Sequence, residues 1–546
     1  MAITVFIVSG SVTDPVNVTK FLALGIVATA SLSVVIFTSQ KSLLKKNKVV
    51  LGISLVFSFA MILSAILSNS PFSQNIYGAY GRNNGLLTYI FLVALYLSAT
   101  TLTQQSSFVW ITYGLIFAGI VNILYCGWVL TFGDFVGWSN PYGNILGTLG
   151  NPNFIGAFLG IFSSFVFVQI TISKESTPRL LFWSLLFALT WFEIVKSHAI
   201  QGRVVGALGL AIVLGYWIRS RYTNLVTGLF VAFSFIFGAF AVLGALQVGP
   251  LSQYIYKASV SLRGQYWLAG WNTGNSHPLA GVGMDSFGDW YRRMRDPHAL
   301  EMPGVNTVVN AAHNVPLDIF AFGGWILFIC YAFLVMATFV SIVRYSRRNR
   351  EFDPVFVSLS AGWVGYQVQS IISINQIGLA IWGWLLGGSL IAYEKATRVQ
   401  INSPSGTTNR ISNQKSSNTV LALSPIAFVA GVVGLLVALP PFSADAKWRS
   451  AQLSRTAVQL EESLSISYFN PANTNKYMIT VQIFEENQLF ELSHKYALEG
   501  VSWNSESFEL WKILYLIKNS TPEEKSLALA NMKRLDPLNP DVTGVN

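Results

Sequence analysis

Runs of about 20 apolar residues recur along this chain of 546 residues, and they restrict its fold more than any other feature. A helix of that length spans the hydrocarbon core of a bilayer, which is about 30 Å thick. Charged residues make up only 11% of the chain, whereas soluble domains carry about 25%. The pattern therefore predicts an all-α, polytopic membrane protein with about twelve transmembrane helices. The predicted spans are 21–39, 49–67, 86–103, 108–131, 153–172, 180–196, 203–218, 224–247, 318–343, 355–372, 378–393 and 420–441.

Lysine and arginine are distributed unevenly between the loops that join these spans. Short cytoplasmic loops are enriched in both residues, and one alternating set of loops holds most of them. The opposite side offers Lys20 and Arg82, while Lys196 and Arg203 stand at span edges. This asymmetry predicts that both termini and the long loop 248–317 lie outside, and it explains the net charge of +10 without nucleic-acid binding. The basic set is Lys41, Lys45, Lys46, Lys48, Lys174, Arg179, Arg219, Arg221, Arg344, Arg347, Arg348, Arg350, Lys395, Arg398, Arg410 and Lys415.

Composition changes near the C-terminus and divides the chain in two. Residues 1–441 form the predicted transmembrane domain, in which 395–419 is polar and rich in Ser, Asn and Thr and is expected to be a flexible cytoplasmic linker. Residues 442–546 are charged and amphipathic, which is typical of a soluble helical domain. This tail is predicted to lie on the outer side, as does the long loop.

The tail carries a weak internal period. Asn470, Asn504 and Asn539 stand in turn-like segments spaced by 34 and 35 residues, which is close to the period of tetratricopeptide helix pairs. Residues 505–518 and 522–535 form a plausible pair, because Pro522 is well placed at a helix start. The tail is therefore predicted to be a short tetratricopeptide-like array, with an unrelated small helical domain as the alternative.

Polar residues beside the spans gather on the predicted outer side. Ionisable residues are costly near the hydrocarbon region, so they are candidates for function. Arg263 lies in the long loop, and His313 and Asn314 open the ninth span. Arginines around an outer cavity can hold a diphosphate through forked hydrogen bonds, and a neighbouring histidine can take a proton near neutral pH. The other members of this set are Arg82, Asn151, Asn153, Gln201 and Arg203.

Several of these residues also have a purely structural interpretation. Arg203 can reach the headgroups from a span edge, Asn151 can cap a helix, and Asp318 can support the helix end beside Asn314. Neither histidines nor carboxylates show metal-ligand spacing, so neither a metal nor a cofactor is expected. A further cluster is expected to be solvated or to face headgroups: Arg292, Arg293 and Arg295.

The order of the motifs resembles the O-antigen ligase and O-antigen polymerase superfamily over roughly residues 80–390. The tail is similar to the external tetratricopeptide-like tail of larger members, including bacterial protein O-oligosaccharyltransferases. The resemblance as a set is more specific than any single motif. The motifs are GNPN, SHAIQGR, SLRGQYWLAGW, HPLAGVGMDSF and HNVPLDIFAFGGW.

The resemblance implies a metal-independent, inverting glycosyltransferase. It would move a glycan from an undecaprenyl-diphosphate carrier to an acceptor glycan, lipid or protein on the outer face of a bacterial cytoplasmic membrane, with membrane lipids as further partners. It implies that His313 is the base. Where the superfamily often has Ser-Arg-Gly at the earlier span start, this chain has Gln-Gly-Arg. The implied diphosphate contacts are Arg263, Arg203 and Arg82, and the supporting residues are Asn314, Asn153 and Gln201.

Two alternatives from other classes remain open at the level of the sequence. A transporter or flippase for a lipid-linked or anionic substrate would also line a cavity with arginine, without any covalent chemistry. A signalling receptor would use the external tail for its partners. Within the enzyme class, the sequence does not choose between ligase, polymerase and protein transferase.

Overall fold

A computed structural model shows an all-α chain, without strands in the part that it describes. The described residues are 2–136, 138, 140–173, 175–250, 252–255, 258–401, 413–454 and 456–544. The predicted fold class is therefore confirmed. In chain order, the helices of at least eight residues are α1 (Asn17–Lys41), α2 (Lys48–Leu67), α3 (Leu86–Ala99), α4 (Gln105–Phe132), α5 (Pro152–Ile172), α6 (Thr177–Lys196), α7 (Ile200–Arg221), α8 (Asn224–Ala245), α9 (Ala258–Ser276), α10 (Phe287–Met294), α11 (Val315–Arg348), α12 (Pro354–Ile372), α13 (Ile377–Ile401), α14 (Asn413–Ser454), α15 (Ala457–Leu464), α16 (Thr474–Glu486), α17 (Phe490–Trp503), α18 (Phe508–Leu516) and α19 (Pro522–Leu535).

Within the described residues, eleven helices are long and apolar enough to cross a membrane, against the twelve predicted. The third expected span, 86–103, is the helix α3, which has only 14 residues and is about 21 Å long. Most of its side chains are buried inside the bundle. Because neighbouring helices enclose α3, its side chains are apolar. Its sequence therefore resembles that of a span, although the helix is short.

One end of the bundle gathers the starts of α1, α3, α5, α7, α11 and α13. We call it the loop end, because α9 and α10 of the long loop lie there, and the opposite one the basic end. At the basic end, Asn47 donates from Nδ2 to the carbonyl of Thr100 (3.1 Å), and Tyr216 and Ser346 share a hydrogen bond of 2.7 Å. The basic loops of the alternating set therefore lie together, away from the long loop.

The helix α11 is broken at Gly323 and Gly324, where the backbone leaves the helical region. The motif HPLAGVGMDSF, which leads into α10, packs its backbone onto this break. The N–H of Trp325 donates to the carbonyl of Pro278 (2.8 Å), and the N–H of Val282 donates to the carbonyl of Ala321 (3.0 Å). Gly324 has a φ of +65°, and a Cβ there would lie 2.3 Å from the carbonyl oxygen of Pro278. Two of the resemblance motifs thus join the long loop to a span.

The last span continues into the tail without a break. Its helix α14 passes the predicted boundary at 441 and ends at Ser454, and the carboxylate of Asp445 accepts hydrogen bonds from the hydroxyl of Tyr80 (2.9 Å) and the N–H of Asp14 (2.7 Å). Of the predicted linker 395–419, residues 402–412 lie outside the described part, and its two flanks are helical. The separate helices of the tail begin with α15.

The tail consists of helices that pack consecutively around their own apolar core, which includes Tyr477, Phe484 and Trp511. The predicted helix 522–535 matches α19, which opens with a capping box between Thr521 and Glu524. The predicted helix 505–518 is the shorter α18. That these helices form a tetratricopeptide array stays a prediction.

Candidate functional site

A cavity of about 580 Å³ opens at the loop end, between the starts of the spans and the long loop. We call it the arginine cleft, after Arg82 and Arg263, which line it together with His313. Residues from the N-terminal segment, four loops, the start of α5 and α9 converge here. Its other polar lining residues include Asp14, Asn17, Tyr80, Tyr142, Asn151, Asn153, Asn310, Ser373, Asn375 and Gln376.

A tight loop between α2 and α3 carries Arg82. The buried carboxylate of Asp285 holds this loop, because its Oδ2 accepts the N–H groups of Ala79 (2.8 Å) and Asn84 (3.1 Å). Gly78 has a φ of +90°, and a Cβ there would lie 2.6 Å from that Oδ2, so the turn requires glycine. Burial raises the pKa of Asp285 to about 6, against the opposing effect of the two hydrogen bonds and of Arg82.

Arg82 and Arg263 are both half-buried and line the same cavity. Within the described residues, neither forms an ion pair with a carboxylate. Burial lowers the pKa of each guanidinium, but arginine stays protonated in proteins. The cleft therefore presents two guanidinium groups without a carboxylate in direct contact among the described residues, which suits it to binding an anion.

The backbone around His313 is held in an uncommon conformation. His313 has a φ of +55°, a left-handed value that costs a non-glycine residue roughly 1–2 kcal/mol. The carboxylate of Asp318 accepts the N–H of Ala312 (2.7 Å), and the side chain of Asn314 caps α11 by accepting the N–H of Leu317 (3.0 Å). These two bonds fix the turn on either side of the histidine and hold its side chain toward the cleft.

The imidazole of His313 lies beside the ring of Tyr266, at 5.5 Å between centroids. Burial, and then the charges of Arg82 and Arg263, lower its pKa to about 4. The ring is therefore neutral near pH 7 and can accept a proton. A negatively charged ligand between the arginines would oppose that shift and make the imidazole a stronger base.

Residues 199–332 match the O-antigen ligase family. The matched segment contains Arg203, Arg263 and His313, whereas Arg82, Asn153 and the tail lie outside it. No curated protein matches the chain. The family match supports a glycan-transferring enzyme of the ligase or polymerase kind, and together with the apolar helices it supports a bacterial inner-membrane protein.

Two residues predicted for an O-antigen ligase site lie away from the arginine cleft. Arg203 is exposed and does not line it, while Gln201 is buried with neither amide atom bonded among the described residues. Positions two apart on a helix point about 200° apart, so α7 cannot turn both side chains toward one cavity. Gly202, which stands between them, packs against the backbone of Gly156 on α5, so the two neighbours lie about 100° to either side of that contact. Gln201 is buried on one side and Arg203 is exposed on the other. The role of Arg203 stays a prediction from the resemblance.

Asn151 and Asn153 open α5 and also line the cleft. Asn151 caps the helix, because its Oδ1 accepts the N–H of Asn153 (2.9 Å). The structural interpretation of Asn151 is thus correct. The capped first turn of α5 thus forms part of the cavity wall, and Asn153 lines the same cleft as the two arginines.

The break between α12 and α13 belongs to the site but was missed in the sequence. Asn375 exchanges hydrogen bonds with Asn84: Asn84 Nδ2 donates to the Asn375 carbonyl (2.8 Å), and Asn375 Nδ2 donates to Asn84 Oδ1 (3.1 Å). Gln376 caps α13 through Oε1 (3.1 Å to the N–H of Leu379), and its buried Nε2 has no partner among the described residues. The signal was the polar SINQ between two apolar runs.

The loop arginines that follow Trp290 behave differently from those of the cleft. Arg295 pairs with Asp536 at 2.6 Å, and both side chains are fully buried. Arg292 contacts the same carboxylate (3.0 Å) and also Glu509 (2.6 Å). The expectation of a solvated cluster is wrong for this reason: the tail supplies carboxylates that the local sequence does not reveal. The third member, Arg293, pairs with Glu506 at 2.6 Å.

Proposed function

We propose that this chain transfers or polymerises a glycan from an undecaprenyl-diphosphate carrier onto an acceptor hydroxyl, at the outer face of a bacterial cytoplasmic membrane. The observation that carries the proposal is the arginine cleft itself, where one cavity is lined by a neutral imidazole and by two guanidinium groups that form no ion pair within the described part of the chain. The family match over residues 199–332 supports the same chemistry.

The diphosphate of the donor would be held by Arg82 and Arg263. Guanidinium groups match phosphate oxygens through forked, charge-assisted hydrogen bonds. Both side chains line the cavity, and no described carboxylate forms an ion pair with either. As the bond between sugar and phosphate breaks, negative charge grows on the leaving diphosphate. The arginines would stabilise that charge more in the transition state than in the ground state.

His313 would act as the general base. The acceptor oxygen attacks the anomeric carbon from the face opposite the diphosphate, and its proton passes to the imidazole. A carbon–oxygen bond forms with the acceptor, the bond to the phosphate oxygen breaks with inversion, and the lipid diphosphate leaves. Asp318 is a positioning residue here, because its bond to the N–H of Ala312 holds the turn that carries the histidine.

The placement of this chemistry outside the cell rests on charge. Loops at the basic end carry most of the short-loop lysines and arginines, and such loops favour the cytoplasm. The arginine cleft lies at the opposite end, together with the long loop and the tail. A lipid-linked donor in the outer leaflet would then present its diphosphate at the level of the cleft.

The test of function compares two histidines in the purified protein. His313→Ala is expected to lower the release of lipid diphosphate from lipid-linked glycan and acceptor by about 10²–10⁴-fold, the usual contribution of a general base. His298, exposed in the same long loop, provides the control, and His298→Ala should retain full activity. Undiminished release by His313→Ala would reject the base role, and the absence of product from the unaltered protein would favour a transporter.

Orientation has a separate test. Asn306 is exposed in the long loop and Glu351 is exposed at the basic end. In intact cells, a membrane-impermeant maleimide should label Asn306→Cys, and it should label Glu351→Cys only after lysis. The two natural cysteines are buried and give little background. The reverse pattern would place the arginine cleft in the cytoplasm and contradict the proposal.

A further inference from the structure

A second cavity, of about 370 Å³, lies between the long loop and the tail. We call it the tail cleft, and its walls include Asn306, Asn310, Asn475 and Trp503. We propose that it binds the saccharide chain of the acceptor and directs the end of that chain to the arginine cleft. This inference rests on the proposed function, since it names where the acceptor of that reaction is held.

The walls of the tail cleft suit an uncharged, hydroxyl-rich chain. Its amide side chains can both donate and accept hydrogen bonds, and Asn306, Asn310 and Asn475 are exposed. The indole of Trp503 packs on Tyr477 (5.9 Å between centroids) and is partly exposed. An aromatic face of this kind contacts the apolar CH faces of a sugar ring.

The charged groups of the tail cleft are mostly satisfied within the protein. Arg292 pairs with Glu509, and the carboxylate of Asp289 accepts from Gln74 (3.0 Å) and Asn504 (3.3 Å). In the arginine cleft the two guanidinium groups line the cavity and pair with no carboxylate that the structure describes, as an anion site requires. This contrast assigns the diphosphate to the arginine cleft and a largely neutral saccharide chain to the tail cleft.

One further charge lies in the wall. The ammonium of Lys512 forms no ion pair among the described residues that line or surround the tail cleft. It can donate to a sugar hydroxyl, and it can also pair with the carboxylate of an acidic sugar. Lys512 therefore allows the tail cleft to bind acidic as well as neutral sugars, and the proposed ligand is a saccharide chain in both cases.

The two cavities share part of their walls. Tyr80 and Asn310 line both of them, and Asn310 precedes His313 by three residues. A chain held in the tail cleft therefore has a direct path past Asn310 to the side of the arginine cleft where the proposed base lies. A lipid-linked donor would reach the arginine cleft from the level of the spans, so the two substrates would approach from different directions, as an in-line displacement requires.

Both sides of the tail cleft are fixed. On one side, Ser73 donates from its hydroxyl to the carbonyl of Ala472 (3.2 Å); on the other, the buried pair of Arg295 and Asp536 joins the loop to the tail. A cleft with anchored walls binds a flexible chain at a smaller entropic cost than one that must first assemble.

The test captures the saccharide by crosslinking. A photoreactive benzophenone amino acid replaces Val308, which lines the tail cleft, or Val458, an equally hydrophobic exposed residue on α15 outside it. The probe is a mixture of oligosaccharides released by mild acid from the envelope of the host cells and labelled at the reducing end. Both proteins also carry His313→Ala, so that binding is observed without turnover. Labelling is expected at 308 and absent at 458.

Two variants then probe the walls of the tail cleft. Trp503→Ala should lower the labelling at 308 by about tenfold through loss of the aromatic contact. Because its ring packs on Tyr477, a second variant, Asn306→Trp, blocks the mouth of the cleft from an exposed position and should lower the labelling as well. Equal labelling at 308 and 458, or unchanged labelling in a folded Trp503→Ala and in Asn306→Trp, would overturn the proposal.

The outcome also separates this inference from the proposed function. If His313→Ala proves fully active in transfer, the base role fails whatever the crosslinking shows. If transfer depends on His313 but the probe does not label position 308, the enzyme assignment stands and the acceptor subsite is rejected.

Discussion

Two sets of arginines in the same half of the molecule meet opposite surroundings. Arg292, Arg293 and Arg295 of the long loop pair with carboxylates of the tail, and Arg292 and Arg295 are buried there. Arg82 and Arg263 line a cavity without any ion pair among the described residues. A charge removed from water must be compensated. The first set is compensated within the chain, which makes it structural, and the second awaits a partner from outside.

Because of this difference, substitutions in the two groups of arginines should have different effects. Removal of one member of a buried ion pair leaves the other charge uncompensated, and such changes are strongly destabilising. Removal of an unpaired arginine abolishes no native contact of that kind and relieves a cost of desolvation. Stability should therefore report on the loop set and activity on the cleft set.

The largest expected effect is on activity. The double variant Arg82→Ala and Arg263→Ala should transfer glycan about 10³-fold more slowly, since the loss of one group that stabilises developing negative charge costs roughly 10²–10³-fold. Its unfolding temperature, measured by thermal unfolding in detergent, should stay close to that of the unaltered protein, because the relieved desolvation of both arginines offsets the lost attraction between Arg82 and Asp285. A clear fall in that temperature would show that the two arginines stabilise the fold. The contrast between the structural arginines of the loop and the functional arginines of the cleft would then be wrong.

A conservative change sharpens the same point. Arg263→Lys keeps the charge and loses the forked geometry, so it should be less active than the unaltered protein and more active than Arg263→Ala. Full activity of the lysine variant would argue against bidentate contact with a diphosphate.

The next effect is on stability. Arg295→Ala leaves the fully buried Asp536 with less compensation, and it should weaken the attachment of the tail by about 3–5 kcal/mol. Limited proteolysis should then cut the tail faster, and the additional change Asp536→Ala should recover part of the loss. If single and double variants are equally resistant, the pair does not hold the tail in place.

The smallest effect is on protonation. The pKa of His313 is lowered to about 4, and Arg82 and Arg263 contribute to that shift. A neutral base acts above its pKa, so kcat/KM should fall as the pH falls through about 4 in the free enzyme. Arg263→Ala removes one positive charge, and the pKa of His313 should rise. Arg295→Ala should leave it unchanged, because Arg295 does not contribute to the shift.

Nuclear magnetic resonance of histidine-labelled protein measures this titration, and His313→Ala identifies the signal. Asp285, whose pKa is raised to about 6, also titrates in this range and holds the Arg82 loop, so the rate alone would mix the two groups. An unmoved His313 signal in Arg263→Ala would contradict the proposed proximity.

Much of the fold follows from local sequence. Apolar runs reveal spans because each helix meets lipid or protein along its whole length, and Pro522 fixes the start of α19 together with its capping box. The length of α3 cannot be predicted from the local sequence. A helix that is enclosed by other helices does not need to be long enough to cross the membrane. The attachment of the tail does not follow either, because Arg295 and Asp536 are 241 positions apart.

The site shows the same division. His313 and Arg263 are predicted from the sequence because ionisable groups beside spans are costly and therefore informative, and because both stand in motifs of the resemblance. Arg203 was predicted for the same cavity, but its direction depends on the phase of α7, which Gly202 sets by packing on Gly156. Gln376 and Asn375 were overlooked because uncharged amides in a short break carry little signal until the loops are brought together.

The unbroken helix α14 has a consequence for how such proteins can vary. It joins the bundle to the tail with no flexible joint between Asp445, which is tied to Tyr80, and Ser454. Each residue inserted there would rotate the tail by about 100° and advance it by 1.5 Å, which would separate Arg295 from Asp536. An insertion in this segment is therefore compatible with the architecture only if it adds whole helical turns and if the long loop lengthens to match. The segment thus sets the distance and the rotation of the tail relative to the bundle.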